Sequence, residues 1–161
     1  MIRKANINDA KDIVRVNVMG WKNTYRNIFP QTFLDSLDSE DENSIRKCQE
    51  KINQYAVCEI DNKIVAMVRY GRNKKNYDDS YAEIYALYVD DSYKKQGIGS
   101  KLVAFAFEEL KKEYDYVLIS TLVNNSANEF YKKIGGKFVG NCDFLLDDKK
   151  FVENIYEFLL K

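Results

Sequence analysis

The chain has 161 residues, 45% of them hydrophobic, and its 25 Lys plus Arg are balanced by 25 Asp plus Glu, which is one ordinary domain's worth of core-forming sequence without net charge. No basic stripe is available for a phosphate backbone, three scattered cysteines make neither a disulfide framework nor a zinc knot, and no stretch reaches the roughly 18 apolar residues of a membrane span. The expectation is a single soluble domain over residues 1–161, cytoplasmic with reduced thiols, that binds no nucleic acid, membrane or metal.

Ile2 to Ala5 reads as a short strand, and Asn8 or Asp9 as the cap of a helix carrying Ile13, Val14, Val16 and Val18 near helical spacing. The following GWKNTYRNIFPQTFLDSL holds the only tryptophan, Trp21, and the only proline, Pro30. Proline suits a helix start, so a further helix is predicted through Leu34, Leu37 and, after an acidic turn, Ile45. QYAVCEI and IVAMVRYGR are β-rich runs joined by DNK, a hairpin signal. In SYAEIYALYV, Tyr81, Glu83, Tyr85, Leu87 and Val89 alternate with Ala82, Ile84, Ala86 and Tyr88; both faces are mostly apolar, which predicts a central strand. Gly97 opens a helix with Ile98, Leu102, Val103, Phe105, Ala106 and Leu110 along its buried side. YVLISTLV is another buried strand, and NNSANEFYKKIGG a short helix that Gly135 and Gly136 end through left-handed backbone. KFVG and FVENIYEFLL are the closing strands. The sum is a mixed α/β (α+β) domain of the order β-α-α-β-β-β-α-β-α-β-β, with helices inserted into a largely antiparallel sheet.

The two close glycines of YKKQGIGSK carry the chemistry. A phosphoryl-transfer loop needs GxxxxGK followed by Ser or Thr, a spacing that is absent. A dinucleotide fingerprint needs a third glycine where Val103 stands. What remains is a run of free backbone amides leading straight into a helix N-terminus, whose dipole favours an anion such as a pyrophosphate. Gly97 and Gly99 leave room for phosphate to approach the backbone. A ligand-free strand-to-helix connection is the alternative on motif grounds.

Lys94, Lys95, Gln96, Gly97, Ile98 and Gly99 resemble the Q/R-x-x-G-x-G/A signature of the GNAT superfamily of N-acetyltransferases, and Asn124, Ala127, Tyr131 and Gly135 resemble its N-x-x-A-x-x-x-Y-x-x-x-G segment. Lys94 stands in the slot usually filled by Gln or Arg, so it would meet phosphate as a point charge rather than a fork. Gly136 stands where the family has Phe. The resemblance extends over nearly the whole chain. It implies a twisted sheet with a splayed central strand pair flanked by about four helices, and acetyl-CoA as the cosubstrate. Lys94 to Ser100 would hold its pyrophosphate, the backbone of Leu87 and Val89 its pantetheine, with Asn124 and Ala127 beside them.

The same resemblance makes Tyr131 the acid that protonates the departing sulfur; a phenol of pKa about 10 is matched to a thiolate of similar basicity. Core packing is the other reading of that tyrosine. Asn124 either bonds the pantetheine amide or caps its helix. The chain has no histidine, so Glu83, sharing a strand face with Tyr85, Leu87 and Val89, is the candidate base; a solvated carboxylate, with water carrying the proton, is the alternative. Trp21, Tyr25, Phe29 and Tyr85 are candidates for an aromatic wall around an amine, or are core. The acidic Asp35–Glu42 stretch either attracts a cationic substrate or is a solvated loop. Cys142 has no cationic sequence neighbour and has Asp143 beside it, so direct transfer in a ternary complex is expected rather than an acetylated cysteine. The function implied is acetyl transfer to a primary amine of a small molecule or peptide. The alternatives are a coenzyme A-binding sensor without turnover and, from the aromatic closing strands, a homodimer.

Overall fold

In the computed structural model, which describes all 161 residues, five helices and seven strands follow one another, with one helix more between the first two strands than the predicted order has. The strands β1 (Ile2–Lys4), β2 (Tyr55–Ile60), β3 (Lys63–Arg72), β4 (Tyr81–Val89), β5 (Tyr116–Leu122), β6 (Lys137–Leu146) and β7 (Lys149–Leu159) form one sheet in the order β1-β2-β3-β4-β5-β7-β6. Helices α1 (Ala10–Thr24), α2 (Gln31–Asp35) and α3 (Glu42–Glu50) separate β1 from β2 in the chain; α4 (Ile98–Leu110) follows β4 and α5 (Ala127–Lys133) follows β5. β1–β2, β2–β3, β5–β7 and β6–β7 are antiparallel, whereas β4 and β5, joined through α4, are parallel. β4 is the fourth of seven strands, which explains why both its faces are apolar. No helix is long and apolar enough to cross a membrane.

The chain divides into two compact units, Met1–Tyr70 with Ala86–Ala106, and Gly71–Tyr85 with Phe107–Lys161. In the first, α1 buries Ile13, Val14, Val16 and Val18 with Cys48 of α3 and with Tyr55, Val57, Ile64 and Met67 of β2 and β3. A Cβ on Gly20 of α1 would run into the Tyr88 ring, so only glycine lets this helix lie so close to the end of β4. Asp9 stands at the N-cap position of α1, as expected, but its side chain makes no cap bond there and serves the preceding turn instead. Asn6 takes the Asn8 amide at 3.0 Å, and Asp9 reaches back to the Asn6 amide at 2.8 Å, closing a 3₁₀ turn ahead of α1. Arg3 grips both Asp9 oxygens at 2.7 and 2.9 Å and Glu59 at 2.9 Å, tying β1, the helix start and β2 together.

The single helix predicted from Pro30 to Ile45 is two. α2 stops after Asp35, and α3 begins anew where Asp41 accepts the Ser44 amide at 3.0 Å. The acidic stretch thus serves helix ends, with Asp35 also bonded to Gln31 at 2.8 Å. The DNK hairpin is as read: Asp61 (φ 49°) and Asn62 (φ 62°) form the two-residue turn between β2 and β3.

In the second unit, β5 and β7 bury Val117, Leu118, Ile119, Tyr156 and Phe158, with Phe107 of α4 5.2 Å from the Phe158 ring. β6 runs to Leu146 rather than ending at Gly140, and turns into β7 through Asp147 (φ 48°) and Asp148 (φ 64°), a second hairpin of the same type. Gly135 is left-handed at φ 104° and ends α5; Gly136 has no positive φ, but a Cβ there would stand 2.7 Å from the Tyr131 carbonyl and 2.8 Å from Phe158. The second glycine is required by close packing, not by backbone conformation.

Candidate active site

In the first unit the glycine loop has the geometry of an anion seat. After a 3₁₀ turn at Asp91–Tyr93, Lys95 (φ 60°) and Gly97 (φ 79°) are both left-handed, and an added Cβ on Gly97 would meet nothing within 4 Å. The first amide with a helical acceptor is that of Lys101, 3.1 Å from the Gly97 carbonyl. The amides of Ile98, Gly99 and Ser100 are therefore left at the open end of α4, where the dipole is positive. Ile98 is the buried anchor of this turn, while Lys94, Lys95, Gln96 and Ser100 are exposed. Lys94 places Nζ 2.6 Å from Asp91, a surface ion pair that a stronger anion would have to displace.

Leu87 and Val89 are half-buried in the last part of β4. The ladder between β4 and β5 covers Tyr81–Ile84 against Tyr116–Ile119, and Leu87 and Val89 lie beyond its end, where their backbone keeps donors and acceptors to offer. Trp21, Tyr25 and Phe29 meet in one cluster: Trp21–Tyr25 centroids are 4.9 Å apart, Tyr25–Phe29 4.7 Å and Trp21–Phe29 5.7 Å. A cavity of about 210 Å³ lined by Asn17, Val18, Trp21, Phe33 and Leu37 opens beside them.

The other predicted residues lie in the second unit. The Tyr85 hydroxyl donates to the Arg72 carbonyl and Lys74 Nζ lies 4.2 Å from its ring centroid, so a cation already covers that face. Glu83 is 7% exposed and well held: one carboxylate oxygen accepts the Lys74 amide at 2.8 Å, the other the Lys75 ammonium at 2.7 Å. Tyr131 is 7% exposed on α5, its ring 5.3 Å from Phe130 and 6.1 Å from Tyr156. Ala127 starts that helix, but its amide is taken by Asn125 at 2.9 Å; Asn124 is exposed and does not cap.

Asn128, which the sequence reading passed over, fixes α5. Its amide donates to the Leu122 and Asn125 carbonyls at 2.9 and 2.7 Å, and its oxygen accepts from Asn154 at 2.9 Å and Tyr156 at 2.7 Å. Four bonds to one buried side chain lock the helix carrying Tyr131 onto β5 and β7. Cys142 has its thiol pushed up by burial and by Glu153; Asp143 points to the other face and pairs with Lys150 at 3.2 Å, so it is not the cause that the sequence suggested.

The family model described as Acetyltransferase (GNAT) family matches residues 19–136. The Uncharacterized N-acetyltransferase YuaI of Bacillus subtilis (strain 168) is 24% identical over 144 residues, 89% of this chain and 83% of its own length. Among solved structures, the PaiA N-acetyltransferase of Thermoplasma acidophilum in complex with coenzyme A superimposes with a TM-score of 0.75 at 22% identity, over 96% of each chain. The ribosomal-protein-alanine N-acetyltransferase of Brucella melitensis gives 0.75 at 17% identity over 99% of each.

Proposed function

Because the chain belongs to the acetyltransferase (GNAT) family, we propose that it transfers the acetyl group of acetyl-CoA to a primary amine of a small molecule or peptide, by direct attack in a ternary complex. The observation that carries this is the loop from Lys94 to Ser100. Left-handed backbone at Lys95 and at Gly97 leads into the first turn of α4, whose three leading amides have no helical acceptor and lie at the positive end of the helix dipole. A diphosphate satisfies those amides, and the open space beside Gly97 is where it fits. Lys94 exchanges Asp91 for phosphate as a point charge.

The end of β4 at Leu87 and Val89, beyond its ladder with β5, supplies the donors and acceptors that an extended pantetheine needs, with a backbone amide to polarise the thioester carbonyl. Tyr131, on a helix held by the Asn128 network, gives its proton to the departing sulfur. Glu83 or a water molecule takes the proton from the acceptor ammonium; the Lys75 and Lys74 donors keep that carboxylate oriented. Cys142, with a raised thiol pKa, is a poor nucleophile, which favours direct transfer over an acetyl-enzyme. Trp21, Tyr25 and Phe29 line the side on which apolar parts of an acceptor are held.

Calorimetric titration of acetyl-CoA is the test. Saturable binding to the native chain, weakened at least tenfold in Gly97→Val, is expected; equal heats for both proteins would remove the basis for the reading. Product formation with an amine panel then separates an enzyme from a binding module.

A further inference from the structure

The last residues of β4 lie beyond its ladder with β5, which ends at Ile84 and Ile119. In the reaction as proposed, Leu87 and Val89 must nevertheless present their backbone groups in a fixed place. Within the first unit two contacts set that place. On the β3 side, the Asp90 amide donates to the Val65 carbonyl at 2.8 Å. On the α1 side, Tyr88, between Leu87 and Val89 in the chain, packs with Ala86 against the core that α1 buries. Its hydroxyl meets that of Tyr25, just past the last residue of α1, at 3.4 Å.

Gly20 is where the Tyr88 ring crosses the helix. A Cβ there would stand 2.3 Å from Cδ1, 2.5 Å from Cγ and 2.9 Å from Cβ of Tyr88, all well inside the roughly 3.5 Å at which carbon atoms touch. Turning the ring relieves the first two contacts but not the third, because Cβ is fixed to the strand backbone. An added methyl group therefore has to push α1 and the end of β4 apart. Glycine is otherwise a poor residue inside a helix, and α1 carries its only one here, four residues before Thr24. The helix forgoes propensity at the turn that receives the ring.

We propose that Gly20 and Tyr88 are positioning residues for the cosubstrate: the ring, seated in the notch that Gly20 leaves in α1, fixes the backbone of Leu87 and Val89 where an extended pantetheine pairs with it. The identity of the ligand rests on the acetyltransferase reading, whereas the seating of the strand does not. Both residues act through the main chain of β4, so the effect of a methyl group at Gly20 depends on the Tyr88 ring being there to meet it.

Calorimetric titration of acetyl-CoA into the native chain, Gly20→Ala, Tyr88→Ala and the double variant reads that dependence. Gly20→Ala should bind about tenfold more weakly than the native chain, the equivalent of one displaced backbone hydrogen bond. Tyr88→Ala should also lose affinity, and adding Gly20→Ala to it should change the affinity by less than about twofold. A part in fold stability alone would move unfolding midpoints and leave the affinities equal. Equal affinities for the native chain and Gly20→Ala, or the same loss in both backgrounds, would overturn the proposal. In the ligand-free protein, the Asp90 amide should exchange its hydrogen faster in Gly20→Ala than in the native chain, and unchanged exchange would overturn the proposal as well. If Gly20→Ala does not fold, Tyr88→Ala and Tyr88→Phe decide: the first should lose affinity and the second, which keeps the ring in the notch, should not, and equal affinities for the two count against the seat. A native chain that does not bind acetyl-CoA removes the acetyltransferase reading instead, and the exchange contrast then decides the seating of the strand by itself.

Discussion

At the scale of single residues, Asn128 and Tyr131 carry different kinds of consequence. Asn128→Asp keeps the shape and replaces two donors by acceptors that face carbonyls, so it should destabilise the chain by about 3 kcal/mol, read by urea unfolding. Tyr131→Phe keeps the ring and removes the proton; the expected result is a roughly hundredfold lower kcat with an unchanged acetyl-CoA affinity and unfolding midpoint. A variant that binds acetyl-CoA less well instead would assign the hydroxyl to binding or packing. The glycine-led start of α4 and the short helix that carries Tyr131 were legible in the sequence as elements, because each holds a short motif. Lys75, Glu153 and Asn128 were not, because their partners are 8, 11 and 28 residues away across strands and loops, and no local pattern records such a meeting. The left-handed Lys95 was equally hidden, since that conformation is expected of glycine or asparagine and not of lysine.

At the scale of elements, chain order was readable and the boundaries were not. GNCDFLL contains residues that disfavour strands, yet β6 continues through it because β7 offers a full ladder, and pairing outweighs local preference. The turn that joins them uses two aspartates in left-handed backbone. Asp148→Gly should therefore stabilise the hairpin by about 1 kcal/mol, seen as a higher thermal midpoint. The Arg3 clamp makes the opposite kind of prediction, a conditional loss. The Arg3 hydrogen bonds hold the Asp9 carboxyl below its ordinary value of 3.8. A carboxyl depressed in the native state adds stability that is complete above its unfolded pKa and disappears as pH falls through the lower native one. Stability of the native chain measured by urea should thus drop more steeply below about pH 4 than that of Arg3→Met, and parallel curves would deny the clamp its role.

For the molecule as a whole, the mixed sheet and its central strand followed from composition and alternation, because apolar faces leave few ways to be covered. The division into two units did not, since its borders at Tyr70, Tyr85 and Ala106 fall inside or beside regular elements and carry no change in composition. Acetyl-CoA at a hundred times its dissociation constant should raise stability by about 2.7 kcal/mol, and a thermal-shift series with and without it is the most direct check at this scale. No shift at saturating acetyl-CoA would count against the binding loop however well individual variants behave. The interleaved borders also bear on how the chain is born. The first unit lacks its last segment until Ala106 has left the ribosome, by which time Gly71–Tyr85 has already emerged and waits for partners encoded downstream. Synthesis pausing between Ala106 and the β6–β7 hairpin would leave that waiting strand exposed, so chaperone capture during translation should concentrate on nascent chains of those lengths.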